Sequence, residues 1–320
     1  MNRIIHTLGF AALATTLLLT ACAKEQPTVD PDDASRFTVS VEDPVEANGS
    51  KISYSYNNNN NFSFQDGDKI WVNGSICQMS PRGNYFVLYG SVGQVPAGLF
   101  YCALSEGFYS DDTRVKYTSS DYYVQIRNVV YPRTITRTSV TGGYRINAPL
   151  VAIAPHSSSS ARTSLLFKHA AAYIDVKFTN YIHSETNSAW FIDSIVVSSD
   201  RYSLSGTANI AVQKNDRSVR TNGIDVGQQN SRSVVLHVGE AANNKSQLIP
   251  VYPASSRSHI TVSVYARATS TATETTVFTQ RTTNTVGFEP GKSYKAPMQL
   301  YSSDDNTIGA SDYGDGGSLW

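Results

Sequence analysis

The sequence predicts an all-β fold, and three observations predict it. Apolar residues recur at every second position in short runs, as in Phe37-Thr38-Val39-Ser40-Val41, which is the period of a half-buried strand. Tyrosine is abundant (19) and methionine scarce (3), and β-branched residues are plentiful. That composition suits pleated surfaces better than helices. Turn residues separate the runs at short intervals, as in a sandwich. A chain of 320 residues is long enough for two domains at a prior of about 150 residues each.

The first 21 residues are a signal segment and lie outside the fold. Arg3 supplies a positive start, and the apolar run over 8–19 is too short for a membrane span of about 20 residues. Leu19-Thr20-Ala21-Cys22 then resembles a bacterial lipobox, in which Cys22 is lipidated and becomes the first residue. Each buried acyl CH₂ contributes about 0.8 kcal/mol, so several chains on Cys22 would anchor the protein firmly. Residues 22–36 hold two prolines and several acids with no apolar period, which reads as a solvated tether. The acidic stretch resembles the export signal of lipoproteins displayed on the outside of the outer membrane. The expected location is therefore the cell surface, with the membrane touched through the lipid alone.

The body begins at the strand over 37–41, whose Phe37, Val39 and Val41 share one face and are expected to be buried. Residues 52–56 alternate Ile52, Tyr54 and Tyr56. The asparagine run 57–61 reads as a loop, because Asn tolerates left-handed backbone. Alternation resumes at 62–64, and Asp66-Gly67-Asp68 is a turn before a strand over 69–72. Further strands are expected over 85–89, 99–104, 122–130 and 165–178. The last of these carries three alanines that favour helix, yet Ile174-Asp175-Val176-Lys177-Phe178 alternates cleanly. It reads as one long strand or a bulged pair. A second set follows over 190–197, 207–212, 234–238, 247–252, 260–266, 276–282 and 294–301. The polar stretch 179–188 separates the sets, placing one sandwich over 37–182 and another over 183–301. Residues 302–320 form a polar tail without clear alternation.

Charge and motifs exclude several functions. Twenty-six basic residues balance 26 acidic ones, so no nucleic-acid partner is expected. His156, His169, His183, His237 and His259 show no metal-ligand spacing, and there is no GxSxG elbow or phosphate loop. No enzyme activity, cofactor or metal is expected. The acidic turns at 66–68 and 312–316 lack the twelve-residue calcium-loop pattern. Cys77 and Cys102 could form a disulfide in an oxidising compartment or remain two buried thiols. The tyrosines between 117 and 131 could stack on a sugar or simply fill half-buried strands.

Four phrases, in order along the chain, resemble the fimbrillin family of Bacteroidota. They are Phe64-Gln65-Asp66-Gly67-Asp68-Lys69-Ile70-Trp71-Val72, Pro149-Leu150-Val151-Ala152, the stretch from Leu166 to Val176 that includes Lys168-His169-Ala170-Ala171-Ala172-Tyr173, and Phe288-Glu289-Pro290-Gly291-Lys292-Ser293-Tyr294. The resemblance implies two tandem transthyretin-like β-sandwich domains. It implies a surface protein that builds, anchors or caps a fimbrium, or a stand-alone adhesin. Its partners would be other fimbrial subunits or a surface receptor. Assembly in that family implies cleavage after an arginine, here Arg36, departure of the strand carrying Phe37, Val39 and Val41, and its replacement by a neighbour's strand. The tail lacks the alternation of a donor strand, which favours an accessory, anchor or tip-like subunit. The alternative is a stand-alone glycan-binding surface lipoprotein.

Overall fold

Alternation of apolar and polar residues puts one face of a strand into a core and leaves the backbone free to pair sideways. The computed structural model describes residues 37–42, 45–46, 59–61, 64, 66–82, 85–89, 95, 98–117, 122–140, 143–156, 163–226, 230–300 and 319. Every regular element among them is a strand. In chain order these are β1 (Phe37–Val41), β2 (Val45–Glu46), β3 (Asn59–Asn61), β4 (Lys69–Val72), β5 (Ser75–Arg82), β6 (Tyr85–Tyr89), β7 (Phe100–Ser105) and β8 (Arg114–Lys116). Then come β9 (Tyr123–Tyr131), β10 (Thr134–Ile135), β11 (Arg137–Val140), β12 (Gly143–Ile146), β13 (Leu150–Pro155), β14 (Thr163–His169), β15 (Ala172–Thr179), β16 (Ile182–His183) and β17 (Ser188–Ala189). The last are β18 (Phe191–Ser199), β19 (Gly206–Gln213), β20 (Val219–Val226), β21 (Ser233–Ala241), β22 (Gln247–Val251), β23 (Ile260–Arg267), β24 (Thr276–Arg281) and β25 (Lys292–Gln299).

Seven strands close into a barrel in the order β1-β14-β13-β7-β4-β5-β6. Its interior holds Phe37, Val39, Ile70, Val72, Cys77, Met79, Leu88, Ala103, Leu150, Leu165 and Phe167. The opposite face of the β4, β7 and β13 wall is apolar too, through Trp71, Cys102, Leu104, Val151 and Ile153. That face packs against the sheet β20-β19-β9-β8, which contributes Val124, Ile126, Ile210 and Val212. A third core lies between the sheets β10-β21-β18-β23-β24 and β2-β25-β15-β22. Strands buried on both faces read as near-continuous apolar runs, which is why Leu150–Pro155 shows little alternation.

Two breaks in period have local causes. On β9 the buried side chains are Val124 and Ile126, then Val129 and Tyr131. Asn128 stands at the phase change in the left-handed region, with φ of 57°. On β18 the register shifts between Ile192 and Ser194, and burial passes from Ile192 to Ile195 and Val197. A bulge rephases the alternation without ending the strand.

Several expectations change. Residues 59–61 are not loop but β3, paired in parallel with β12. Backbone pairing is available to any residue, so a neighbouring edge overrides the weak strand propensity of asparagine. The stretch 165–178 is neither one strand nor a bulged pair. It is β14 in the barrel and β15 in another sheet, with Ala170 and Ala171 fully buried between them. Small side chains let the backbone cross between cores there. Strands β9, β10 and β15 all precede the expected boundary at 182/183, and all pair with strands beyond it: β19, β21, and both β22 and β25. Leu319, in the polar tail, is buried in the third core, and its N–H donates to the Lys295 carbonyl at 2.8 Å.

Candidate functional site

The seat of β1 is built by β14 on one side and β6 on the other. With β14 the strand runs parallel, Phe37 opposite Thr163 through Val41 opposite Phe167. With β6 it runs antiparallel, Thr38 opposite Val87 and Val39 opposite Phe86. Thus β1 is the stave that closes the barrel, and both of its edges are used. Parallel pairing with β14 needs a long crossover, so the strand is joined to its neighbour on that side only through the chain between them.

Period two decides which of its side chains enter the barrel. Phe37 and Val39 are each 5% exposed, Ser40 is exposed, and Val41 is half-buried at the meeting of two cores. Of the three apolar positions expected to be buried, two are, and Val41 is only partly so. The Phe37 ring meets Tyr101 edge-on, with centroids 4.9 Å apart at 90°. Tyr101 in turn meets His156 at 5.1 Å. Deeper in, Phe64 and Phe167 pack edge to face at 5.1 Å.

The exit of the strand is fastened by polar contacts that sequence reading did not single out. The Glu42 N–H donates to the Phe167 carbonyl at 2.8 Å. Its carboxylate pairs with Lys168 at 3.1 Å. His169 Nε2 lies 2.8 Å from the Glu42 carbonyl, and its Nδ1 contacts the Tyr173 hydroxyl. A carbonyl only accepts, so Nε2 carries the hydrogen, and Nδ1 accepts from the tyrosine. Burial pushes the imidazole down to about 3, opposed by its hydrogen bond to the Glu42 backbone. Lys168, His169 and Tyr173 lie inside one of the phrases that carry the family resemblance. That was the available signal, although nothing in the spacing points to Glu42.

The remaining candidates are placed as follows. Cys22 and Arg36 lie outside the described residues. Cys77 and Cys102 are both free and buried, one facing the barrel interior and the other the second core. Burial pushes the Cys77 thiol up to about 11 and Cys102 further still. No group of three metal-ligating side chains occurs among the described residues. Of the four tyrosines from 117 to 131, Tyr122 is 82% exposed, whereas Tyr131 is buried and Tyr117 donates inward to the Phe100 carbonyl at 2.6 Å. They do not share one face.

No protein-family model matches the chain, and no curated protein does. Solved structures are similar to it. One is a candidate cell adhesion protein from Bacteroides uniformis, with 10% identity, 75% of this chain and 88% of that chain covered, and a TM-score of 0.42. Another from Bacteroides ovatus has 10% identity, coverage of 82% and 91%, and a TM-score of 0.42. A fimbrial protein from Bacteroides vulgatus has 9% identity, coverage of 82% and 95%, and a TM-score of 0.34. At such scores the likeness carries no argument, and the functional reading rests on the residues of this chain.

Proposed function

We propose that this chain is a non-enzymatic cell-surface adhesin or fimbrial subunit of accessory, anchor or tip kind, exported as a precursor that is held to the outer membrane by lipid on Cys22 until it is cleaved. Its first strand is removable. Cleavage after Arg36 severs β1 from the tether, and a strand from a partner subunit takes its seat. The observation that carries this reading is the position of β1 as the closing stave, with Phe37 and Val39 in the barrel core. Loss of a closing strand leaves two unpaired sheet edges and an apolar slot at once. Burial of those two side chains is worth roughly 3–6 kcal/mol as an upper estimate. A replacement strand recovers that energy and caps both edges, which is β-strand addition.

The test is limited proteolysis of the purified precursor by a trypsin-like protease, followed by sedimentation with candidate partner subunits. Cleavage after Arg36 followed by higher-order species supports the reading. A cleaved body that stays an unaltered monomer in every mixture contradicts it. Export is tested separately by fatty-acid labelling, in which Cys22→Ser is expected to abolish the label.

A further inference from the structure

The exit of β1 is fastened by a residue that can change its charge. Nε2 of His169 holds the Glu42 carbonyl at 2.8 Å, and Nδ1 takes the Tyr173 hydroxyl. Both ring nitrogens are thereby committed in the neutral form, and the side chain is 4% exposed. One of its two partners, Glu42, belongs to the segment that leaves with β1.

We propose that release of β1 is coupled to proton uptake at His169, so that acid opens the barrel and neutral pH keeps it shut. The inference rests on the reading of β1 as the removable strand. In the closed barrel, a proton on Nδ1 would meet the Tyr173 hydroxyl, whose hydrogen already points at that nitrogen. The charge would also sit in a desolvated site. The facing groups offer little compensation. Tyr173 comes from β15. Glu42, beyond β1, is paired with Lys168 at 3.1 Å, the residue before His169 on β14. At the start of β25, Glu289 is paired with Lys292 at 2.9 Å, and between them Gly291 backs onto His169, a Cβ there falling 3.8 Å from the His169 Cβ. Asp216 feels the charge of Lys168. Glu42 and Glu289 are thus each already paired with a lysine.

Once β1 and Glu42 leave, water reaches the ring, which then titrates near the ordinary imidazole value of about 6.5. The closed form resists protonation down to about 3. Between those limits the open form holds one more proton than the closed form, so the opening constant grows about tenfold for each unit the pH falls.

Amide hydrogen exchange on the whole purified chain, without partners, tests this. Rates are divided by the intrinsic rate at each pH and compared between β1 and β23. Protection of Phe37–Val41 is expected to fall about tenfold per pH unit below about pH 6 and to lie below that of Val262 and Val264 at every pH, because β1 opens without the rest of the chain unfolding. His169→Gln is expected to remove the slope. A flat profile in β1, protection in β1 equal to that in β23 at every pH, or a slope retained in His169→Gln overturns the proposal. If His169→Gln does not fold, the wild-type profile still decides, and Tyr173→Phe, which keeps the imidazole, must keep the slope. A flat profile leaves strand exchange standing. Failure of any partner strand to enter the barrel defeats strand exchange and leaves the profile intact.

Discussion

Phe37 stands edge-on to Tyr101, with ring centroids 4.9 Å apart and planes at 90°. One ring belongs to the first described strand and the other to β7 of the barrel. The first strand is therefore held by its side chains as well as by its two ladders, and its loss would expose an aromatic surface.

Truncating that ring measures the hold. Phe37→Ala removes a buried side chain and the ring contact, and should destabilise the barrel by about 3–5 kcal/mol in urea unfolding. Ser40→Ala, on the exposed face of the same strand, should change stability by less than about 0.5 kcal/mol. Equal effects at both positions would contradict the assigned facing.

The bulge at Asn128 predicts a residue-specific cost. Its φ of 57° is left-handed, a conformation that disfavours most side chains by about 1–2 kcal/mol. Asn128→Val should lower the unfolding midpoint clearly, and Asn128→Gly should lower it less. Both variants lose the side-chain bond of Asn128 to the Asp112 carbonyl, 2.9 Å, so the reverse order would contradict the backbone account.

His169 predicts the direction of the pH dependence of stability. The folded imidazole is held down to about 3, whereas the unfolded one titrates near about 6.5. Below that value the unfolded chain takes up a proton that the folded chain refuses. The contribution is thus complete above about pH 6.5 and is lost at about 1.4 kcal/mol per unit as the pH falls. Urea midpoints between about pH 6.5 and pH 4.5 should fall in the wild type, and His169→Gln should flatten the curve.

The two thiols should stay apart. Cys77 and Cys102 face different cores, so oxidation of the native protein should leave its mass unchanged. Both should be labelled by a thiol reagent only after unfolding. A native disulfide found by mass spectrometry would contradict this packing.

Much of the fold was legible because alternation reports burial directly. The run Phe37-Thr38-Val39-Ser40-Val41 gives both the strand and the face. The all-β class follows from many such runs. What alternation cannot show is which strand lies beside which. Leu165 to Phe178 looks continuous, yet the chain changes sheets at Ala170 and Ala171, because small residues mark a crossing as readily as a helix. The pairing of β9 with β19 likewise depends on contacts between residues about 80 apart, such as Asn128 N–H with the Asn209 side chain. The candidate site was half legible. Phe37 and Val39 follow from period two, but the Glu42–His169 contact spans 127 residues and leaves no local pattern.

The seat of β1 is expected to accept a separate strand. The direct measurement uses the whole chain with a protease site placed between Glu42 and Val45, so that after cutting β1 is held by non-covalent contacts alone. A fluorescent peptide with the sequence of residues 37–42 is then added in excess, and uptake is followed by anisotropy. Saturable one-to-one replacement is expected, lost when the peptide carries Asp in place of Phe37 or Val39. A folded, cut protein that never takes up the peptide, or that takes up both peptides equally, would contradict it.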